Sequence, residues 1–79
     1  MTFHLEYCIV GHFGFRIKVS ENIEKMLKEA RREGCYVADE SITRALEWAT
    51  TAKDGDTFPG GGTFTLIKGA RRMTPYTSL

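Results

Sequence analysis

Two stretches of the chain alternate between apolar and polar residues. Over residues 3–10, Phe3, Leu5, Tyr7 and Ile9 share one face and His4, Glu6 and Cys8 the other. Residues 14–19 alternate in the same way, with Phe15, Ile17 and Val19 opposed to Arg16 and Lys18. A period of two is the signature of a strand with one buried face. Pairing the two strands requires a choice, because a slip of one residue exchanges their faces. A two-residue turn at Gly11-His12 puts Arg16 and Lys18 on the Leu5/Tyr7/Ile9 face. A three-residue loop, Gly11-His12-Phe13, instead pairs Ile9 with Phe15, Tyr7 with Ile17 and Leu5 with Val19. It also sets Glu6 across from Lys18, a favourable cross-strand pair. The second register is the expectation, with Gly14 free to take an unusual backbone angle at the end of the loop.

The period then changes to that of a helix. Ile23, Met26, Leu27 and Ala30 fall at i, i+3, i+4 and i+7 and make one apolar stripe. Ser20 is the expected N-cap, with Glu21 and Glu24 placed where negative charge suits the helix dipole. Glu21–Lys25 and Glu24–Lys28 are supportive i,i+4 pairs, and Gly34 is a natural stop. After the connector Cys35-Tyr36-Val37, Asp39 is expected to cap a second helix over residues 40–53. Its stripe is Ile42, Ala45, Leu46 and Ala49, and Asp54-Gly55 ends it. Asp56 to Gly62 contains Phe58-Pro59 and a run of glycines, so it reads as a loop or the tip of a hairpin. Thr63 to Lys68 alternates again, with Phe64 and Leu66 inward, as the last strand.

The predicted fold is therefore α+β, in the order β-β-α-α-β, a small antiparallel sheet with two helices packed on one face. Residues 1–68 form a single compact domain, and residues 69–79, which lack any period, form a flexible C-terminal tail. The inner sheet face holds Leu5, Tyr7, Ile9, Phe15, Ile17, Val19, Phe64 and Leu66. His4, Glu6, Cys8, Arg16, Lys18, Thr63 and Thr65 face water.

Composition narrows the functional classes. A chain of 79 residues makes one domain, and 42% apolar with 27% charged residues is ordinary for a soluble globular protein. Eleven Lys+Arg against ten Asp+Glu leave a formal charge of +1, and the pI is near 7.8. A dedicated nucleic-acid coat has a domain pI above about 9. Met1 to Glu6 carries no basic and apolar leader pattern, and the run Cys8-Ile9-Val10 is far short of the roughly 20 residues a bilayer span needs. The expected location is the cytoplasm, with both cysteines reduced.

Candidate chemistry is sparse. His4, Cys8, His12 and Cys35 are ligand types for zinc, yet His4 and Cys8 lie about 13 Å apart on one extended strand and cannot share an ion. The same distance removes a His4–Cys8 nucleophile pair. The run Gly60-Gly61-Gly62 leads into a strand, whereas a phosphate loop leads into a helix N-terminus. Asp54 and Asp56 flank a turn glycine, where water keeps both ionised. The expectation is a non-enzymatic protein with no cofactor and no metal.

Binding has better support. Phe13 is placed at a loop tip, where an aromatic ring either folds back on the core or meets a partner. Trp48 lies about 120° from the second helix's stripe and either covers the glycine loop or the tail or anchors an interface. Arg71, Arg72 and Tyr76 give the tail a binding composition, suited to ordering on contact. The ending Thr77-Ser78-Leu79 resembles a ligand for PDZ domains. With Arg16 and Lys18 on the open sheet face, these residues make the candidate docking set: Phe13, Arg16, Lys18, Trp48, Arg71, Arg72 and Tyr76.

The expected function is a protein-interaction module acting by stoichiometric binding to a larger protein or nucleoprotein complex, with no membrane partner. Small single domains without a catalytic set are common among phage-encoded inhibitors of host machinery, anti-CRISPR proteins included. By that analogy of size, the module occludes a working surface in the host cytoplasm. The alternative is a small nucleic-acid-binding or regulatory protein using Arg16, Lys18, Arg71 and Arg72. The chain itself is expected to be a monomer or a weak homo-oligomer, the latter through an edge strand.

Overall fold

The computed structural model describes residues 2–69. They run β1 (Phe3–Tyr7), β2 (Arg16–Ser20), α1 (Ile23–Glu33), α2 (Asp39–Thr51), β3 (Thr57–Pro59) and β4 (Phe64–Lys68). All four strands form one antiparallel sheet in the order β2-β1-β4-β3. The fold is α+β, as expected, with one strand more than the periodicity showed. That strand, β3, lies in the stretch read as a loop or hairpin tip. It spans three residues and ends in a proline, too little for alternation to register.

The hydrophobic core joins the helices to one face of the sheet. Ile23, Met26, Leu27 and Ala30 of α1 and Ile42 and Ala45 of α2 meet Phe3, Leu5 and Tyr7 of β1 and Phe64 and Leu66 of β4. Cys35 and Val37 of the interhelical connector complete it. Leu46, placed on the second stripe by its spacing, is 41% exposed at the edge of the core.

The helix ends follow the expected logic with different residues. Asn22, not Ser20, caps α1: its side-chain oxygen accepts from the Lys25 amide at 3.0 Å. Ser20 supports it by accepting from the Asn22 amide. Glu21 therefore lies ahead of the helix, while Glu24 and Lys28 form the expected ion pair at 2.8 Å. Gly34 ends α1 with φ of 120°, a left-handed conformation glycine adopts without strain. Asp39 lies inside the first turn of α2, whose cap, Ala38, contributes no side-chain bond. Instead the Asp39 carboxylate accepts from Arg31 at 2.8 Å and ties the two helices together.

At its other end α2 has no basic residue of its own. Lys68 reaches over from β4 and donates to the carbonyls of Ala49 (3.3 Å) and Ala52 (2.6 Å). A cation there satisfies orphan acceptors and opposes the negative end of the helix dipole.

The expected register of the first two strands is wrong by one residue. Leu5 lies across from Lys18 and Tyr7 from Arg16, while Glu6 faces Ile17 and His4 faces Val19. Arg16 and Lys18 consequently point to the helix side, and Ile17 and Val19 to the open side. The Glu6–Lys18 pairing does not occur. The physical reason lies on α1. Glu29 and Glu33, four residues apart beside the apolar stripe, form an acidic ridge toward β2, and Lys18 approaches them at 3.9 and 2.8 Å. Apolar β2 side chains turned inward would meet that ridge and leave both carboxylates without their cationic partners from β2. His4, expected in water on the outer face, is instead 5% exposed, with Nδ1 3.3 Å from the Gly69 carbonyl.

Candidate interaction surface

The register leaves an apolar strip on the sheet face opposite the helices. Ile17 and Val19 of β2, with Phe15 just before it, are 42%, 57% and 67% exposed. The strip continues into the loop between β1 and β2. There the Ile9 carbonyl accepts from the His12 amide at 3.0 Å, closing a turn with Gly11 at its third position and φ of 85°. A type II turn requires a positive φ at that position. Gly14 at φ 87° makes the second bend, as its placement suggested. The base of the loop is held by the Val10 amide, which donates to the Gly34 carbonyl at 3.2 Å. Between these fixed points Val10 and Phe13 stand out into solvent, Phe13 fully exposed.

Behind the strip, on the helix side, lies a charged cluster. The Glu33 carboxylate accepts from the Tyr7 hydroxyl at 2.5 Å, from Lys18 at 2.8 Å and from Arg16 at 3.4 Å. The hydrogen bond from Lys18, then that from Tyr7, holds the Glu33 carboxyl below its ordinary range. The same bond to Glu33 raises Lys18. Burial first, and then the bond to Glu33, raises the Tyr7 phenol. Glu33 terminates α1, where a negative charge opposes the dipole, and the two cations of β2 offset that.

β2 is an edge strand. Its outer rim has five residues with neither proline nor glycine. The opposite edge, β3, has three residues and ends at Pro59, which cannot donate a backbone hydrogen bond. β2 is thus the edge open to further pairing.

The sequence-based candidates distribute unevenly over this surface. Phe13 sits at its tip. Arg16 and Lys18 border it from the helix side and are engaged by Glu33, so they do not form a basic patch on the open face. Trp48 is half-buried between Phe3 and Phe58, at ring distances of 6.0 and 5.8 Å, in a row that ends at Phe64. It thus serves the core margin and covers β3. Arg71, Arg72, Tyr76 and Thr77-Ser78-Leu79 lie outside the described residues. Val10, Phe15, Ile17 and Val19 were missed as exposed residues. The signal that locates the last three is the i,i+4 acid pair Glu29/Glu33, which calls for basic partners on the inner face of the neighbouring strand.

Potential reactive groups do not converge on a site. The Cys8 amide and the Cys35 thiol both approach the Thr63 carbonyl, at 3.0 and 3.8 Å. Burial raises the Cys35 thiol, which keeps it protonated and poorly nucleophilic. Asp56 is spent on the turn, accepting from the Lys53 amide at 2.9 Å. Among the described residues, no cluster of three His, Cys, Asp or Glu side chains is placed to hold a metal ion. No described helix is long and apolar enough to cross a membrane. No protein-family model, curated protein or solved structure matches the chain.

Proposed function

We propose that this protein is a non-enzymatic interaction module that acts by stoichiometric binding, docking through the Phe13 loop and the β2 edge onto a larger protein or nucleoprotein. In its most specific form it is an occluding inhibitor of host machinery, of the kind that phage-encoded anti-CRISPR proteins represent by size and economy. One observation carries the docking reading: a fully exposed Phe13 ring in the loop that leads into an edge strand whose open face bears exposed Ile17 and Val19, with Phe15 exposed just before it. Contiguous apolar surface of this kind is costly in water and marks interaction sites more often than bare scaffold. Lys18 is closely paired with Glu33 and Arg16 lies on the helix side, so the open face carries no basic patch, which favours a protein surface over a phosphate backbone as the principal contact.

The test is affinity capture from the native host with wild type, Phe13→Ala and Ile17→Lys, each checked for folding by circular dichroism. A defined protein partner lost in both variants supports the reading. Full retention by both folded variants removes it. Capture of nucleic acid alone, released steeply by salt, replaces it with phosphate binding.

A further inference from the structure

We infer that β2 accepts a fifth strand from a protein partner, an extended segment in which apolar and acidic side chains alternate. This rests on the docking role proposed above and names the partner's chemistry. Strand addition needs a free row of backbone donors and acceptors, and among the described residues no strand pairs with the outer rim of β2. An added strand places its alternate side chains beside those of β2. On the open face its neighbours are Phe15, Ile17 and Val19, which select apolar groups. On the helix face they are Arg16 and Lys18.

Arg16 is the residue that selects charge. Its sole polar contact among the described residues is the long 3.4 Å approach to Glu33, whose carboxylate already accepts shorter bonds from Tyr7 and Lys18. The guanidinium is 57% exposed and has five N–H donors in a fork that fits a carboxylate. A partner carboxylate on that face completes the coordination that Glu33 leaves unfinished.

The same charges argue against a second copy of this chain as the occupant. Antiparallel self-pairing centred on Ile17 sets Arg16 against the copy's Lys18, and centring on Lys18 sets that residue against itself. Both registers oppose like charges directly, which is destabilising. Those two registers are disfavoured for a second copy, whereas an acidic strand meets Arg16 with opposite charge.

The experiment is an amide chemical-shift titration of the isotope-labelled protein with a capped peptide of about nine residues alternating valine and glutamate. A valine–lysine peptide and a valine–glutamate peptide methylated on alternate backbone nitrogens serve as controls. The expected result is saturable shifts over Phe15–Ser20, affinity at least about tenfold higher for the acidic peptide than for the basic one, and no binding by the methylated peptide. Arg16→Gln should remove most of that tenfold preference while leaving the shift pattern in place.

Equal binding of acidic and basic peptides, shifts centred elsewhere, or no binding overturns the inference. Concentration-dependent shifts of β2 without peptide overturn it in favour of self-pairing. If a captured partner still depends on Phe13 while the acidic peptide fails, docking stands and strand addition falls. If capture also fails in wild type, both fall.

Discussion

The two edges of this sheet solve the same problem in opposite ways. β3 is short, ends in proline, and packs its Phe58 ring against Trp48, with its turn closed by a 2.8 Å bond from the Gly60 amide to the Phe64 carbonyl. β2 is longer, carries exposed Ile17 and Val19 along its open side with Phe15 just ahead of it, and is held by charge on its other side. Edge strands are commonly protected by shortness, proline or charge. β3 uses the first two. β2 instead carries Arg16 and Lys18 on its helix side, and in the proposed reading it admits an acidic partner. One edge is closed by packing and the other is selective.

The largest way to break this contrast is to remove what both edges share. Leu66 is fully buried in β4 between them, and Leu66→Ala should cost about 2–5 kcal/mol in urea unfolding, loosening both edges together. A change at the turn between β3 and β4 should be smaller. The Cβ of Gly60→Ala runs into the Phe64 ring, and the expected loss is about 1–3 kcal/mol. Hydrogen exchange should then rise in β3 before β2; a uniform rise would show that the edges are not independent. Lys68→Met leaves the α2 carbonyls without their cation and should cost about 1 kcal/mol, read as a lower thermal midpoint.

On β2, Ile17→Lys should change stability by no more than about 0.5 kcal/mol, because the side chain already meets water. Its effect belongs to binding. A large destabilisation would mean that the strip is part of the core and the comparison fails.

The smallest effect is electrostatic. The Glu33 carboxyl is lowered in the fold, so its contribution is present above the ordinary glutamate pKa of about 4.3 and is lost as pH falls through its lower folded value. Lys18 is raised, so its contribution is retained below about pH 10.4 and is lost as pH climbs through its folded value. Exchange of β2 amides, corrected for intrinsic rates, should accelerate at those two extremes relative to β3. Glu33→Gln should remove the acid limb. Both effects should be weak because the pair is exposed and screened.

Much of this organisation was legible in the chain. The stripe Ile23/Met26/Leu27/Ala30 named the buried face of α1, and Gly34 named its end, because a 3.6-residue period and a left-handed stop are local properties. The alternation of β1 and β4 named Leu5, Tyr7, Phe64 and Leu66 as core. Phe13 at a loop tip followed from the positions of Gly11 and Gly14. Trp48 was harder to place, since its partners Phe3 and Phe58 come from distant segments. The orientation of β2 was misjudged because its alternation fits a strand with either face buried.

By itself, then, the amino-acid order determined every element but β3, the order of those five, and the inward faces of α1 and the central strands. Periodicity and capping act within a few residues, so they survive without knowledge of neighbours. Only the tertiary structure decided which side of β2 faces water and which sheet edge stays open. The side that β2 turns to water goes with Glu33, remote in sequence, meeting Tyr7, Lys18 and Arg16, contacts that no local pattern within β2 announces, and the open edge follows from the strand order.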